Sequence, residues 1–169
     1  MTTSEWPARV WGRMAAGTGL CGSAMLLAEW SRACTDALAP VDILTARATS
    51  QILAWLGMDA QRELAALAHP GGFSYQIVMP CTGIIPAALL TAAILCAGAS
   101  LWAKVGGAAL GALSVLALNL VRLVSLFYIG VRHPEAFGLA HAVLWQGVSL
   151  VFPIAFFLGW THRAVVSSA

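Results

Sequence analysis

One arginine inside a long apolar run constrains this chain more than any other feature. From Val105 to Val131 the residues read as a single membrane-spanning helix, and Arg122 is its only charge. A central arginine costs roughly +2.5 to +3.5 kcal/mol on insertion scales. A residue at that cost faces a bundle interior or a cavity, with a partner or a chemical task. Asn119 lies three residues earlier, on the same helix face, so the two converge on one point.

Composition agrees with a bilayer. The chain has 169 residues, is 60% hydrophobic and has 9% charged residues. Soluble domains carry about a quarter, so the expectation is an all-α integral membrane protein folded as one domain over residues 1–169. The net charge is +2 and the basic residues are scattered, which argues against nucleic acid as a partner. The four cysteines do not form a disulfide pattern. Cys21 and Cys96 sit in apolar runs as small hydrophobes, Cys34 lies just past the first run, and Cys81 stands apart.

Apolar periods place about four transmembrane helices, near residues 10–32, 83–103, 105–131 and 139–161. About 20 apolar residues span a bilayer core, and the last three segments meet that length. The first follows Arg9 and Arg13 as a signal peptide would, but no prompt small-residue cleavage site follows, so it is expected to be a retained helix. Lys104 and Gly106-Gly107 are expected to turn the chain between the second and third helices. His133-Pro134-Glu135 is expected to break it between the third and fourth.

The connection from residue 36 to 80 is long and is expected to lie on the membrane surface. Val41, Leu44, Ala48, Ile52 and Trp55 recur at helical spacing, as in an amphipathic surface helix. Gly71-Gly72 then precedes Phe73 to Met79, a short strand-like segment. Arginines and lysines divide evenly between the two sides, so charge alone leaves orientation open.

Topology brings the polar residues together. Cys81 opens the second helix, Arg122 lies in the far half of the third, and His141 sits in the first turn of the fourth. All three fall toward one membrane face. Arg122 precedes Val131 by nine residues, roughly 13 Å by helical rise, within reach of a snorkelling side chain. The positive end of a helix favours a thiolate nucleophile. A histidine can take the thiol proton and return it to a leaving amine. A guanidinium can stabilise a tetrahedral oxyanion. Cys81, His141 and Arg122 thus form a coherent acyl-transfer set. No His/Cys spacing suits zinc, and no metal or other cofactor is expected.

Other readings of the same residues stand beside this one. Arg122 could bridge to Glu29 as a structural ion pair, making the chain a non-enzymatic membrane scaffold or assembly factor. Cys81 could merely pack, and His141 could merely cap a helix or meet headgroups. A haem or quinone site needs facing histidines, and only His141 is near a helix interior. No inverted repeat suggests a transporter.

Pro80-Cys81-Thr82-Gly83-Ile84, then Asn119-Leu120-Val121-Arg122, then His141 at the head of the last helix, resembles the exosortase/archaeosortase family. The likeness covers roughly Met79 to Trp145 and is nearest to the short, exosortase H-like subgroup. It implies a multi-pass protein of the bacterial inner membrane that works as a cysteine transpeptidase or protease on its extracytoplasmic face. By resemblance Cys81 is the nucleophile, Arg122 stabilises oxyanion or substrate, and His141 is the general acid or base. Asn119, Thr82 and Gly83 support them or contact substrate. The implied partners are exported proteins with a C-terminal motif, transmembrane helix and basic cluster, together with membrane lipid and an unidentified acceptor nucleophile.

Overall fold

The computed structural model describes residues 32–166. The expected first helix, with Cys21 and Glu29, lies outside these residues apart from its last position. The described elements are α1 (Arg32–Trp55), β1 (Gln61–Glu63), β2 (Ala66–Ala68), β3 (Ser74–Gln76), a 3-10 turn (Met79–Cys81) and α2 (Ile84–Cys96). They continue as α3 (Leu101–Arg132), α4 (Pro134–Leu139), a π turn (Ala140–Leu144) and α5 (Trp145–Val166).

α3 is the central element, because both hydrophobic cores use it. One end packs Leu123 and Phe127 with Ala46 and Leu53 of α1, Leu67 of β2 and Ile77. Toward the other end, Ala108 and Val115 pack with Ala87, Leu90 and Ile94 of α2 and with Phe152, Phe156 and Trp160 of α5. Small residues allow these close approaches. A Cβ on Gly107 would run into the Trp160 indole, and one on Gly111 would meet Leu90 and Phe156 at 2.9 Å. The opposite face of α3 carries exposed Leu110, Leu113 and Val121, as a lipid-facing surface should.

Several expectations need correction. Gly106 and Gly107 do not turn the chain: they are helical, and Gly107 serves packing. The turn lies earlier, where Ala97 is extended and the Ser100 hydroxyl caps α3 by accepting from the Ala103 N–H at 3.4 Å. α2 is therefore only 13 residues long, about 20 Å, and too short alone to span a core of about 30 Å. Among the described residues, Leu101–Arg132 and Pro134–Ala164 are the helices long and apolar enough to cross a membrane. The break at His133 stands as expected, and helix resumes at once with Pro134 in the first turn.

The segment expected as a surface loop is more ordered, and the fold is mostly rather than wholly helical. α1 does contain the expected helical stretch, but its inward residues are Ala46, Thr49 and Leu53, while Leu44 and Trp55 are exposed. The stripe read from sequence therefore straddles the outward face. An antiparallel sheet follows, with strand order β1-β2-β3. Leu67 stands opposite Tyr75 in the register, and Leu67 is fully buried beneath α1 and α3. β3 falls within the strand-like stretch expected at 73–79. The β2–β3 connection closes through His69–Gly72, where Gly72 has φ +96° and the Gly71 N–H donates to His69 Nδ1 at 2.9 Å.

Phe73 docks the sheet onto α3. Its ring lies edge-on to Phe127 at 5.9 Å and to Phe137 at 5.3 Å, and it occupies the space that a Cβ on Gly130 would need. Gly130→Leu should therefore lower stability in detergent by about 1–3 kcal/mol, the usual range for overpacking, despite leucine's better helix propensity. A thermal melt against wild type checks this; an unchanged or higher midpoint would show that Phe73 does not anchor the sheet there.

Candidate functional site

The 3-10 turn carries Cys81 into position. Its N–H donates to the Val78 carbonyl at 2.6 Å, and the Thr82 N–H and hydroxyl both donate to the Met79 carbonyl, at 3.1 and 2.7 Å. Thr82 is buried, so its role is to close this turn. Cys81 was expected to open the helix itself. It instead stands just before α2, whose N-cap is Gly83. Pro86 is tolerated because first-turn N–H groups have no intrahelical acceptor.

Gly83 is required twice over. Its φ is +77°, in the left-handed region. A Cβ there would also lie 2.8 Å from Asn119 Cβ. That proximity lets Asn119 Nδ2 donate to the Cys81 carbonyl at 2.8 Å. Asn119 thus ties the cysteine turn to the middle of α3 and supports it without touching the thiol.

One turn along, Arg122 is only 6% exposed. Its Nη2 lies 3.4 Å from His141 Nε2. A guanidinium only donates, so a hydrogen bond here requires the neutral tautomer with its lone pair on Nε2. The separation is long for a hydrogen bond and can be exchanged at little cost. His141 sits in the π turn, a distortion that often marks functional positions in helices. Phe137, one turn earlier, stacks on its ring at 5.8 Å and 12° between planes. Phe137 carried no sequence signal beyond its four-residue spacing from His141.

Cys81, Arg122 and His141, the residues expected to converge, do so. They line one cavity of about 270 Å³, with Tyr75, Gln76, Val78 and Phe137 among its other walls. Among the described residues no hydrogen bond joins the thiol to His141, whose polar contact is with Arg122. Tyr75 donates its hydroxyl to the Leu123 carbonyl at 3.1 Å. Burial, with Cys81 adding to it and Arg122 opposing, holds this phenol well above its ordinary pKa. It remains a neutral donor and an aromatic wall.

The guanidinium has a second side. A cavity of about 30 Å³, room for one water, is lined by Arg122, Asn119 and Ser149 together with apolar residues. Arg122 Nε is buried with no hydrogen-bond partner among the described residues. Glu29, the partner expected in the scaffold reading, lies outside those residues.

The clamp on the cysteine turn can be tested directly. Gly83→Ala should cost at least about 1–2 kcal/mol from the left-handed backbone alone, and Asn119→Ala about 1–3 kcal/mol from an unpaired buried carbonyl. If the clamp couples the two, the double variant should lose less than the sum of the single losses. Strict additivity in thermal or denaturant unfolding would show that Gly83 and Asn119 act independently.

The family model described as transmembrane exosortase matches residues 6–161. No curated protein and no solved structure matches this chain.

Proposed function

We propose, because the chain belongs to the transmembrane exosortase family, that it is a membrane cysteine transpeptidase or protease acting on the C-terminal sorting signals of exported proteins. The observation that carries this reading is the shared cavity, where the Cys81 thiol, a buried guanidinium and an imidazole face one space. The family and the apolar helices make it a membrane protein. Family resemblance further suggests the bacterial inner membrane with the cavity on the extracytoplasmic side, and the short exosortase H-like subgroup.

The geometry supports the following steps. The His141 imidazole exchanges its contact with Arg122 for the Cys81 thiol and takes the thiol proton. The thiolate attacks the scissile carbonyl, forming the C–S bond and a tetrahedral oxyanion. Arg122, released from His141, donates to that oxyanion from its largely buried position. The C–N bond breaks as His141 returns the proton to the leaving amine, and the C-terminal helix departs. A thioester remains on Cys81. An amine acceptor then gives transpeptidation, and water gives hydrolysis. The weak Arg122–His141 contact suits this exchange, because neither partner is locked to the other. Membership of the transmembrane exosortase family does not favour the rival reading of Arg122 as only a structural ion-pair residue.

Two experiments test the reading. With every other cysteine replaced, iodoacetamide labelling of Cys81 in nanodiscs should slow at least severalfold on His141→Ala, and labelling indifferent to that change would remove His141 from the mechanism. Co-expressed with an exported protein from the same genome that bears the tripartite C-terminal signal, Cys81→Ala should remain folded and lose cleavage of the signal. Undiminished cleavage would sink the mechanism.

A further inference from the structure

Among the described residues, the sheet beside the cysteine ends in β3, whose outer edge no further strand pairs. The His69 N–H donates to the Phe73 carbonyl at 2.7 Å, and the Ile77 N–H to the Ala65 carbonyl at 2.9 Å. Residues 73, 75 and 77 therefore turn their backbone polar groups toward β2. In an antiparallel ladder the alternate residues point theirs away, so Ser74 and Gln76 present N–H and C=O outward. β3 is the last strand of the sheet, and among the described residues no other strand pairs with that edge. Val78 is extended, with φ −122° and ψ 162°, and its N–H continues the same row.

This edge ends at the cysteine. Gln76 and Val78 wall the cavity that contains Cys81, Arg122 and His141. A strand added to β3 would lie about 4.8 Å from it, over that cavity. What satisfies a row of alternating donors and acceptors is another extended backbone, and peptide recognition by strand addition uses this chemistry.

We infer that the segment of substrate carrying the scissile bond binds as an added β-strand along Gln76 and Val78 of this edge, which brings its carbonyl to Cys81. The inference rests on the proposed cysteine chemistry for its substrate but concerns how that substrate is held. Affinity comes from main-chain hydrogen bonds, and side-chain preference is confined to alternate residues facing the cavity. Tyr75 and Ile77 point into the core and hold the edge rigid from beneath. The recognised segment must be extended, so it lies outside the substrate's transmembrane helix.

Proline at Gln76 is the specific probe. The Gln76 N–H has no partner in the sheet, so proline removes only an outward donor and places its ring on the open edge, where proline is tolerated in native sheets. Using the exported protein with its C-terminal signal as substrate, Gln76→Pro should cleave at least tenfold more slowly than Gln76→Ala. Unchanged iodoacetamide labelling of Cys81 in the proline variant shows that the site is intact. Equal rates in the two variants would overturn strand addition.

A second measurement needs no variant. Synthetic peptides spanning the cleavage segment, each N-methylated at one backbone amide, are given to the wild-type protein. Strand addition requires loss of cleavage at every second position, and uniform tolerance would overturn it. A wild-type dimer, present without substrate and lost on Gln76→Pro, would instead make the edge a seam between copies and also overturn it. If Cys81→Ala cleaves normally, the cysteine reading itself fails; if only the alternation is missing, that reading survives and the docking mode does not.

Discussion

Arg122 is held among apolar side chains with 6% of its surface exposed, and a guanidinium in that setting must be offered acceptors or water. α3 meets this need by ordering its face in turns. Gly107, Gly111 and Val115 pack closely against α2 and α5, Asn119 reaches the cysteine turn, and Leu123 and Phe127 seal the sheet. Arg122 sits between the two apolar cores, at the level where helix packing gives way to the cavity. Among the described residues it meets His141 on one side and a water-sized space on the other. A structural arginine in a bundle is usually saturated by carboxylates or carbonyls. Among the described residues this one leaves its Nε without an acceptor and shares a cavity with a thiol, the condition under which a charge appearing on substrate could be stabilised.

The cavity depends on segments that contribute no polar atom to the proposed chemistry. Phe73, Tyr75, Phe127 and Phe137 form one continuous aromatic cluster. Through it, the sheet, α3 and α4 share a wall. Phe137 then orients His141 by stacking, while Tyr75 closes the cavity beside Cys81. The π turn adds one residue to the helical repeat where the imidazole must turn toward Arg122. Position is therefore set by packing on three elements at once, and the Arg122–His141 contact, at 3.4 Å, is left long enough to rearrange.

The convergence of Cys81, Asn119, Arg122 and His141 is legible in the sequence, because polar residues in apolar helices are few and alternating helix direction fixes which end each occupies. Hydrophobic length was less informative. Gly106 and Gly107 read as a turn because glycine weakens helices in water, yet inside a bundle the same residues admit the Trp160 indole. The actual turn signal, Gly98 followed by the capping Ser100, is weak in sequence because its neighbours are alanines. β1 and β2 are three residues each, too short to show a period, and their pairing is set by burial of Leu67 rather than by local preference. The π turn left no pattern at all.

Legibility of this kind has a physical basis that bears on the docking edge. Chemistry-bearing side chains stand out in a membrane protein because the bilayer penalises every alternative placement. Backbone groups carry no such mark, since each residue has the same N–H and C=O. The free edge of β3 is visible only once the register is known, from which residues face β2 and which do not. On the proposed reading, an enzyme that takes an extended segment of its substrate gains from reading backbone there, because main-chain hydrogen bonds tolerate varied side chains. Selectivity then passes to the few cavity-facing positions and to the helix that follows the segment. On the proposed reading the open edge and the buried arginine divide the work: one holds an extended chain mainly by its backbone, and the other acts where a carbonyl reaches the thiol.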